Sequence, residues 1–117
     1  MAKYSELLLD TNFVVEATKR AVVEEAKGLV PGAGLVTLQA VVDELGGNAL
    51  ALKVLRAEGV EVRPVEGYAD DEILAYAKKG GVAVATNDAA LKKRLREKGI
   101  PVVFLTKSGC GLVGGIV

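Results

Sequence analysis

Aspartates and glutamates stand where apolar runs give way to helical segments, and they are the strongest set of potentially reactive groups in the chain. Asp10 closes the run Leu7-Leu8-Leu9, and Asp88 follows Val82 to Asn87. The triplet Asp70-Asp71-Glu72 opens a further segment, and Asp43-Glu44 follows Val41-Val42. Histidine is absent, so a Ser-His-Asp triad, a Cys-His dyad, an imidazole base and a His-ligated metal are all excluded. Cys110 stands alone, which removes an internal disulfide and a multi-cysteine metal cluster. Carboxylates gathered at one place raise each other's pKa and call for a cation. With oxygen donors only, that cation is Mg²⁺ or Mn²⁺ rather than zinc or copper. Such a centre performs metal-assisted hydrolysis: one ion lowers the pKa of a bound water, and a second can stabilise the leaving oxygen of a phosphodiester.

The elements that must carry these acids can be read from periodicity. The chain has 117 residues, half of them apolar, with a formal net charge of zero. That is enough for one domain with its own core. Short apolar runs alternate with segments of helical period, the pattern of an α/β domain with a parallel sheet. Strands are predicted at Glu6–Asp10, Leu35–Thr37, Val60–Val65, Val82–Thr86 and Val102–Leu105. Helices are predicted at Asn12–Thr18, Ala21–Lys27, Leu38–Leu45, Ala49–Glu58, Asp70–Lys79 and Asp88–Lys98. Gly59, Gly80-Gly81 and Gly99 fall where left-handed caps end helices, and Pro101 stops the last one. The Gly-rich tail from Ser108 to Val117 reads either as a final edge strand or as a partner contact.

Each acid also has a purely structural reading. Asp10 lies at the carboxyl end of a buried strand, where open parallel sheets place their sites, but it could equally cap the following helix. Asp88 shares a helical stripe with Leu91 and Leu95, which turns it toward the sheet, and it too could be a cap. Asp70 heads the stripe Ile73, Leu74 and Ala77, whereas Asp71 is turned about 100° away. Asp71 and Glu72 can be explained by the positive helix N-terminus alone. Glu44 sits at the edge of the stripe Leu38, Val41, Val42 and Leu45, where a solvated face is the simpler reading. Asn12 and Asn87 flank two of the aspartates in a chain with only three asparagines, which favours polar, functional surroundings.

The segments Leu8-Leu9-Asp10-Thr11-Asn12-Phe13, Val41-Val42-Asp43-Glu44-Leu45, Ala69-Asp70-Asp71-Glu72-Ile73-Leu74-Ala75 and Ala85-Thr86-Asn87-Asp88-Ala89-Ala90-Leu91 resemble, in order and spacing, the PIN-domain ribonucleases. Within that family the Ala-Asp-Asp and Thr-Asn-Asp motifs look most like archaeal proteins related to the ribosomal-RNA-processing branch. The resemblance implies a three-layer α/β/α domain with a central, mainly parallel five-stranded sheet and a Mg²⁺- or Mn²⁺-dependent endoribonuclease site. It implies that Asp10, Glu44, Asp70 and Asp88 hold metal, with Asp71 as the alternative to Asp70. Thr86 and Asn12 would orient the carboxylates or bound waters. Eukaryotic relatives carry additional cysteines for a zinc cluster, which Cys110 alone cannot supply.

RNA, single-stranded by expectation, would have to be met by local charge. Lys92, Lys93, Arg94 and Arg96 give the last helix a basic outer face beside Asp88. With three Tyr, two Phe and no Trp, a surface of stacked aromatics is poorly supported. A haloacid-dehalogenase-type phosphatase would need a second aspartate where Asn12 stands, and a phosphate-accepting receiver domain would need an acidic pair before the first strand's end and a late lysine, which this chain does not show. A catalytically silent PIN scaffold or a toxin-type ribonuclease paired with an antitoxin fits the same motifs. The chain is too polar for a signal peptide or a membrane span, so a cytoplasmic protein is expected, with a homodimer through apolar surfaces as an option.

Overall fold

Leu7, Leu8 and Leu9 are fully buried because the strand they form, β1 (Glu6–Leu9), lies at the centre of the sheet with helices on both faces. In this computed structural model, residues 4–114 are described. Their order is β1, α1 (Thr11–Ala17), α2 (Val22–Leu29), β2 (Gly34–Leu38), α3 (Gln39–Leu45), α4 (Ala49–Ala57), β3 (Glu61–Arg63), α5 (Ala69–Ala77), β4 (Val82–Ala85), α6 (Ala89–Glu97), β5 (Val102–Leu105) and β6 (Cys110–Val113). The six strands form one sheet in the order β3-β2-β1-β4-β5-β6. β1 runs parallel to β2, with Leu8 opposite Val36, and to β4, with Leu9 opposite Ala85. Since β1 and β4 are adjacent but far apart in sequence, the strand order reverses between them, and the crevice at their carboxyl ends is the topological switch point.

Alternation along each strand divides the core. Leu7, Leu9, Ala83, Ala85 and Val103 face α1, α2 and α4, where Phe13, Val14, Val22, Val23, Ala51 and Leu55 are buried. Leu8, Val36, Val84 and Val102 face α3, α5 and α6, meeting Val41, Ile73, Leu91 and Leu95. This is the expected three-layer α/β/α arrangement, with all six helices within a residue or two of their predicted bounds. At the end of α6, Gly99 adopts φ +73, which lets the Ile100 N–H reach the Leu95 carbonyl at 3.0 Å before Pro101.

The sheet has six strands where five were expected. The described part of the tail supplies the additional one: β6 pairs antiparallel with β5, Val103 opposite Leu112 and Phe104 opposite Gly111. Glycine at 111 lets the strands pair with the Phe104 ring in place, since a Cβ there would come within 2.6 Å of that ring and force it to move. The edge-strand option for the tail is therefore the one realised, through Val113, while the rest of that prediction at 115–117 lies outside the described residues. The Val60–Val65 prediction shortens to Glu61–Arg63 because Pro64, without an N–H, interrupts the ladder. Among the described residues, no helix is long and apolar enough to cross a membrane.

One polar cluster pins α5, which carries Asp70. The Tyr76 hydroxyl donates to Glu6 Oε1 at 2.7 Å, and Arg63 Nη2 donates to Glu6 Oε2 at 2.6 Å. Burial alone would push the Glu6 carboxyl up, but these hydrogen bonds, with the charges of Lys79 and Arg63, hold it below its usual range.

Candidate active site

The carboxyl ends of β1 and β4 are neighbours, so the residues that follow them meet. Asp10 N donates to the Ala85 carbonyl at 2.9 Å, continuing the ladder one residue past the strands. Asp10 is buried, only 3% exposed. Its Oδ1 accepts from Thr11 N at 2.7 Å and its Oδ2 from the Thr86 hydroxyl at 2.6 Å. Thr86 Oγ1 in turn accepts from Asp88 N at 3.1 Å, so one buried hydroxyl fixes both a carboxylate and the loop leading to a second. Asp88 caps α6, its Oδ1 accepting from Leu91 N at 2.8 Å. Capping and site placement are thus compatible: the cap uses one oxygen, and Asp88 still lines the cleft.

Asp10, Glu44, Asp70 and Asp88 all line one open cleft of about 590 Å³, together with Thr11, Asn12, Val15, Glu16 and Tyr68. Glu44 is exposed, but its Oε1 accepts from the Thr11 hydroxyl at 2.6 Å, which ties α3 to the first turn of α1. Asp70 enters from the first turn of α5. Asp71 does not line the cleft; it pairs with Arg94 Nη1 at 2.9 Å on the outer surface. Asn12 lines the cleft but does not reach a carboxylate: its Oδ1 accepts from Asn87 N at 3.0 Å, holding the β4–α6 loop against α1.

The acids feel each other. Burial raises the Asp10 pKa, opposed by the Thr86 and Thr11 hydrogen bonds and reinforced by the charges of Asp70 and Glu44. Burial also raises that of Asp70, reinforced by Asp88, Glu44 and Asp71 and opposed by Arg94. These couplings link all four acids in one field with no basic residue on the cleft wall. Among the described residues, however, no three such side chains stand close enough to form a metal-binding group by themselves. The donor set still fits Mg²⁺, which keeps several waters and is commonly held by one or two carboxylates with substrate phosphates rather than by an all-protein cage.

Part of the basic face expected on α6 is already engaged. Lys92 Nζ lies over the Phe104 ring at 4.4 Å from its centroid, and Arg94 is taken by Asp71. Lys93 and Arg96, both exposed, present the remaining positive charge of that face.

Several residues that line the cleft or support it from beneath escaped sequence reasoning. Glu16 lies one helical turn from Asn12 on the same face of α1, a spacing that could have flagged it. Thr37, buried in an apolar strand, donates to the Leu9 carbonyl at 2.8 Å and so steadies the backbone just before Asp10. Its polarity in that run was the available signal. Tyr68 stands out only once the start of α5 is known, since its position at the N-cap depends on where that helix begins.

The fold has counterparts among known proteins. A family model described as "PIN like domain" matches residues 7–108. Ribonuclease VapC4 of Methanocaldococcus jannaschii is 30% identical over an alignment of 129 residues, covering 96% of this chain and 98% of its own. The structure of the PIN domain endonuclease Utp24 superposes with a TM-score of 0.78 at 25% identity, covering 96% of this chain and 95% of that one. The family match spans the cleft from the strand before Asp10 to the helix after Asp88, and on that basis the chain belongs to the PIN-like domain family.

Proposed function

We propose that the protein is a Mg²⁺- or Mn²⁺-dependent endoribonuclease acting on single-stranded RNA. The observation that carries this reading is the convergence of Asp10, Glu44, Asp70 and Asp88 on one cleft at the switch point of the sheet. The similarity to a chain named a ribonuclease and to one named a PIN domain endonuclease supports it. One or two of Asp10, Asp70 and Asp88 would hold the cation directly and the remaining acids, with Glu44 at the rim, would reach it through its waters. When bound, the cation supplies Lewis acidity, lowering the pKa of water and offsetting the charge of the phosphodiester. Thr86 keeps Asp10 oriented, Asn12 holds the loop that carries Asp88, and Thr11 restrains Glu44. Of the settings in which such an enzyme works, ribosomal-RNA processing is the one the Ala69-Asp70-Asp71 and Thr86-Asn87-Asp88 motifs favour.

Cleavage of an end-labelled single-stranded RNA with Mg²⁺ or Mn²⁺, and its loss in chelator, tests the reading. Asp70→Asn is expected to lower the rate by on the order of a hundredfold, and Asp71→Asn, which breaks only an exposed pair with Arg94, by little. Equal losses in the two variants would refute the assignment of Asp70 to the site. Wild-type protein that binds RNA but never cuts it identifies a silent scaffold instead.

RNA reaches the cleft past α6. Because Lys92 and Arg94 already have partners, Lys93 and Arg96 are expected to bind the phosphates. In Lys93→Ala/Arg96→Ala, the slope of log affinity against log salt should shrink by roughly 1.4, about 0.7 for each phosphate of a single strand that is no longer neutralised. An unchanged slope in RNA-binding titrations would place the phosphate-binding residues elsewhere.

A further inference from the structure

We propose that Tyr68 forms a nucleobase-binding subsite beside the acidic cleft, receiving one unpaired base of the RNA on its ring; this rests on the ribonuclease reading above. Tyr68 is 63% exposed and lines the same cleft as Asp70. Among the described residues, the other large apolar side chains that are exposed, Leu50 and Val62, lie away from it. The remaining rings are committed elsewhere. Phe13 is fully buried, Tyr76 donates to Glu6 with Lys79 over its face, and Phe104 lies between Lys92 and Gly111. Tyr4 lines a different cleft, with Gly81 and Val82 at the opposite end of β4.

Tyr68 also breaks a local rule. It occupies the N-cap of α5, a position favouring Ser, Thr, Asp or Asn, and its side chain makes no capping bond. An exposed aromatic in place of a cap is the kind of local inconsistency found at functional sites. The backbone beneath it is fixed. Its carbonyl accepts from Glu72 N at 3.0 Å, and Gly67 before it adopts φ +130 with the Glu72 side chain packed so closely that a Cβ would lie 3.1 Å away. The ring is thus presented from a held position, two residues before Asp70. Val15 adds apolar surface within the cleft. A π-face accepts any base but only an unstacked one, so this subsite selects single-stranded RNA and carries little sequence preference.

The test uses the full chain and a single-stranded RNA bearing 2-aminopurine, with Ca²⁺ in place of Mg²⁺ for binding and Mg²⁺ for cleavage. Tyr68→Leu keeps apolar area but removes the π-face, and being exposed it should leave the melting temperature unchanged. It is expected to weaken binding roughly ten- to hundredfold and to abolish the quenching of 2-aminopurine, with Tyr68→Phe restoring both. In cleavage, KM should rise while kcat changes little. Binding and quenching in Tyr68→Leu equal to wild type would overturn the subsite even if RNA is cut normally, leaving the ribonuclease reading intact. Tyr68-dependent quenching without cleavage supports the subsite and overturns the ribonuclease reading. Neither binding nor cleavage by the wild type overturns both.

Discussion

Asp10→Asn is expected to fold normally and to lose RNA cleavage by on the order of a thousandfold, the scale seen when one group aimed at a reacting centre is removed. The substitution preserves shape and can keep the Thr11 N–H bond, while removing the buried charge that would hold a cation. Thermal unfolding gives a readout independent of activity. A cation that binds only the folded state stabilises it by about 2.7 kcal/mol at one hundred times its dissociation constant. Mn²⁺ should therefore raise the melting temperature of the wild type and leave that of Asp10→Asn unmoved. Equal shifts in both proteins would remove Asp10 from the metal site.

The same residue sets a pH dependence in chelator. Burial, with the charges of Asp70 and Glu44, raises the folded pKa of Asp10 despite its hydrogen bonds. A carboxyl raised in this way stabilises the fold fully below its unfolded value, near 3.9, and that contribution disappears as pH climbs through the folded pKa. Toward neutral pH without metal that contribution therefore fades, and Asp10→Asn should melt at or above the wild-type temperature. The difference should close as the pH is lowered toward 4. Glu6 has the opposite sign: its lowered pKa gives stability that is present at neutral pH and lost on acidification through its folded pKa. An Asp10→Asn protein less stable than wild type at pH 7 in chelator would show that the carboxylate is a net structural asset.

Thr86→Val should have the second-largest effect. Valine matches threonine in shape and suits an extended backbone, so packing in this fully buried position survives. The change removes the hydroxyl that donates to Asp10 Oδ2 and accepts from Asp88 N. A buried carboxylate oxygen and a backbone N–H are then left without their partners, at a cost of about 2–3 kcal/mol in chemical unfolding. Cleavage should fall roughly ten- to a hundredfold, as when a residue orienting metal ligands is removed. Thr86→Ser, which keeps the hydroxyl, is expected to recover most of both. Wild-type cleavage by Thr86→Val would mean that Asp10 is held by its neighbours without this bond.

Much of this protein is legible in the chain itself. Leu7-Leu8-Leu9 is apolar on both faces and so demands a central strand, and the stripes Asp88-Leu91-Leu95 and Asp70-Ile73-Ala77 orient α6 and α5 before any fold is known. Those are local properties, set by the periods of helix and strand. The acids follow from them, because a residue just beyond a parallel strand lies at the sheet edge where sites form. The PIN resemblance, carried by four segments in order, agrees with the family match over residues 7–108.

What the local pattern could not supply was the partner of each side chain. The stripe on α5 turns Asp70 inward and Asp71 away, but only the packing of α6 decides that Asp71 pairs with Arg94 while Asp70 shares the cleft with Asp10 and Asp88. The same ion pair removes Arg94 from the free basic face, and Phe104, brought up by β5, engages Lys92. Glu44, ambiguous on its own helix, is drawn to the cleft by a hydroxyl 33 residues away. The tail becomes a sixth strand because β5 offers it an unpaired edge. The sequence by itself determined the layers, the helices and the approximate places of the acids, since each depends on residues a turn or a pleat apart. The tertiary structure alone decided which side chains meet, because hydrogen bonds and ion pairs join residues that only the strand order β3-β2-β1-β4-β5-β6 brings together.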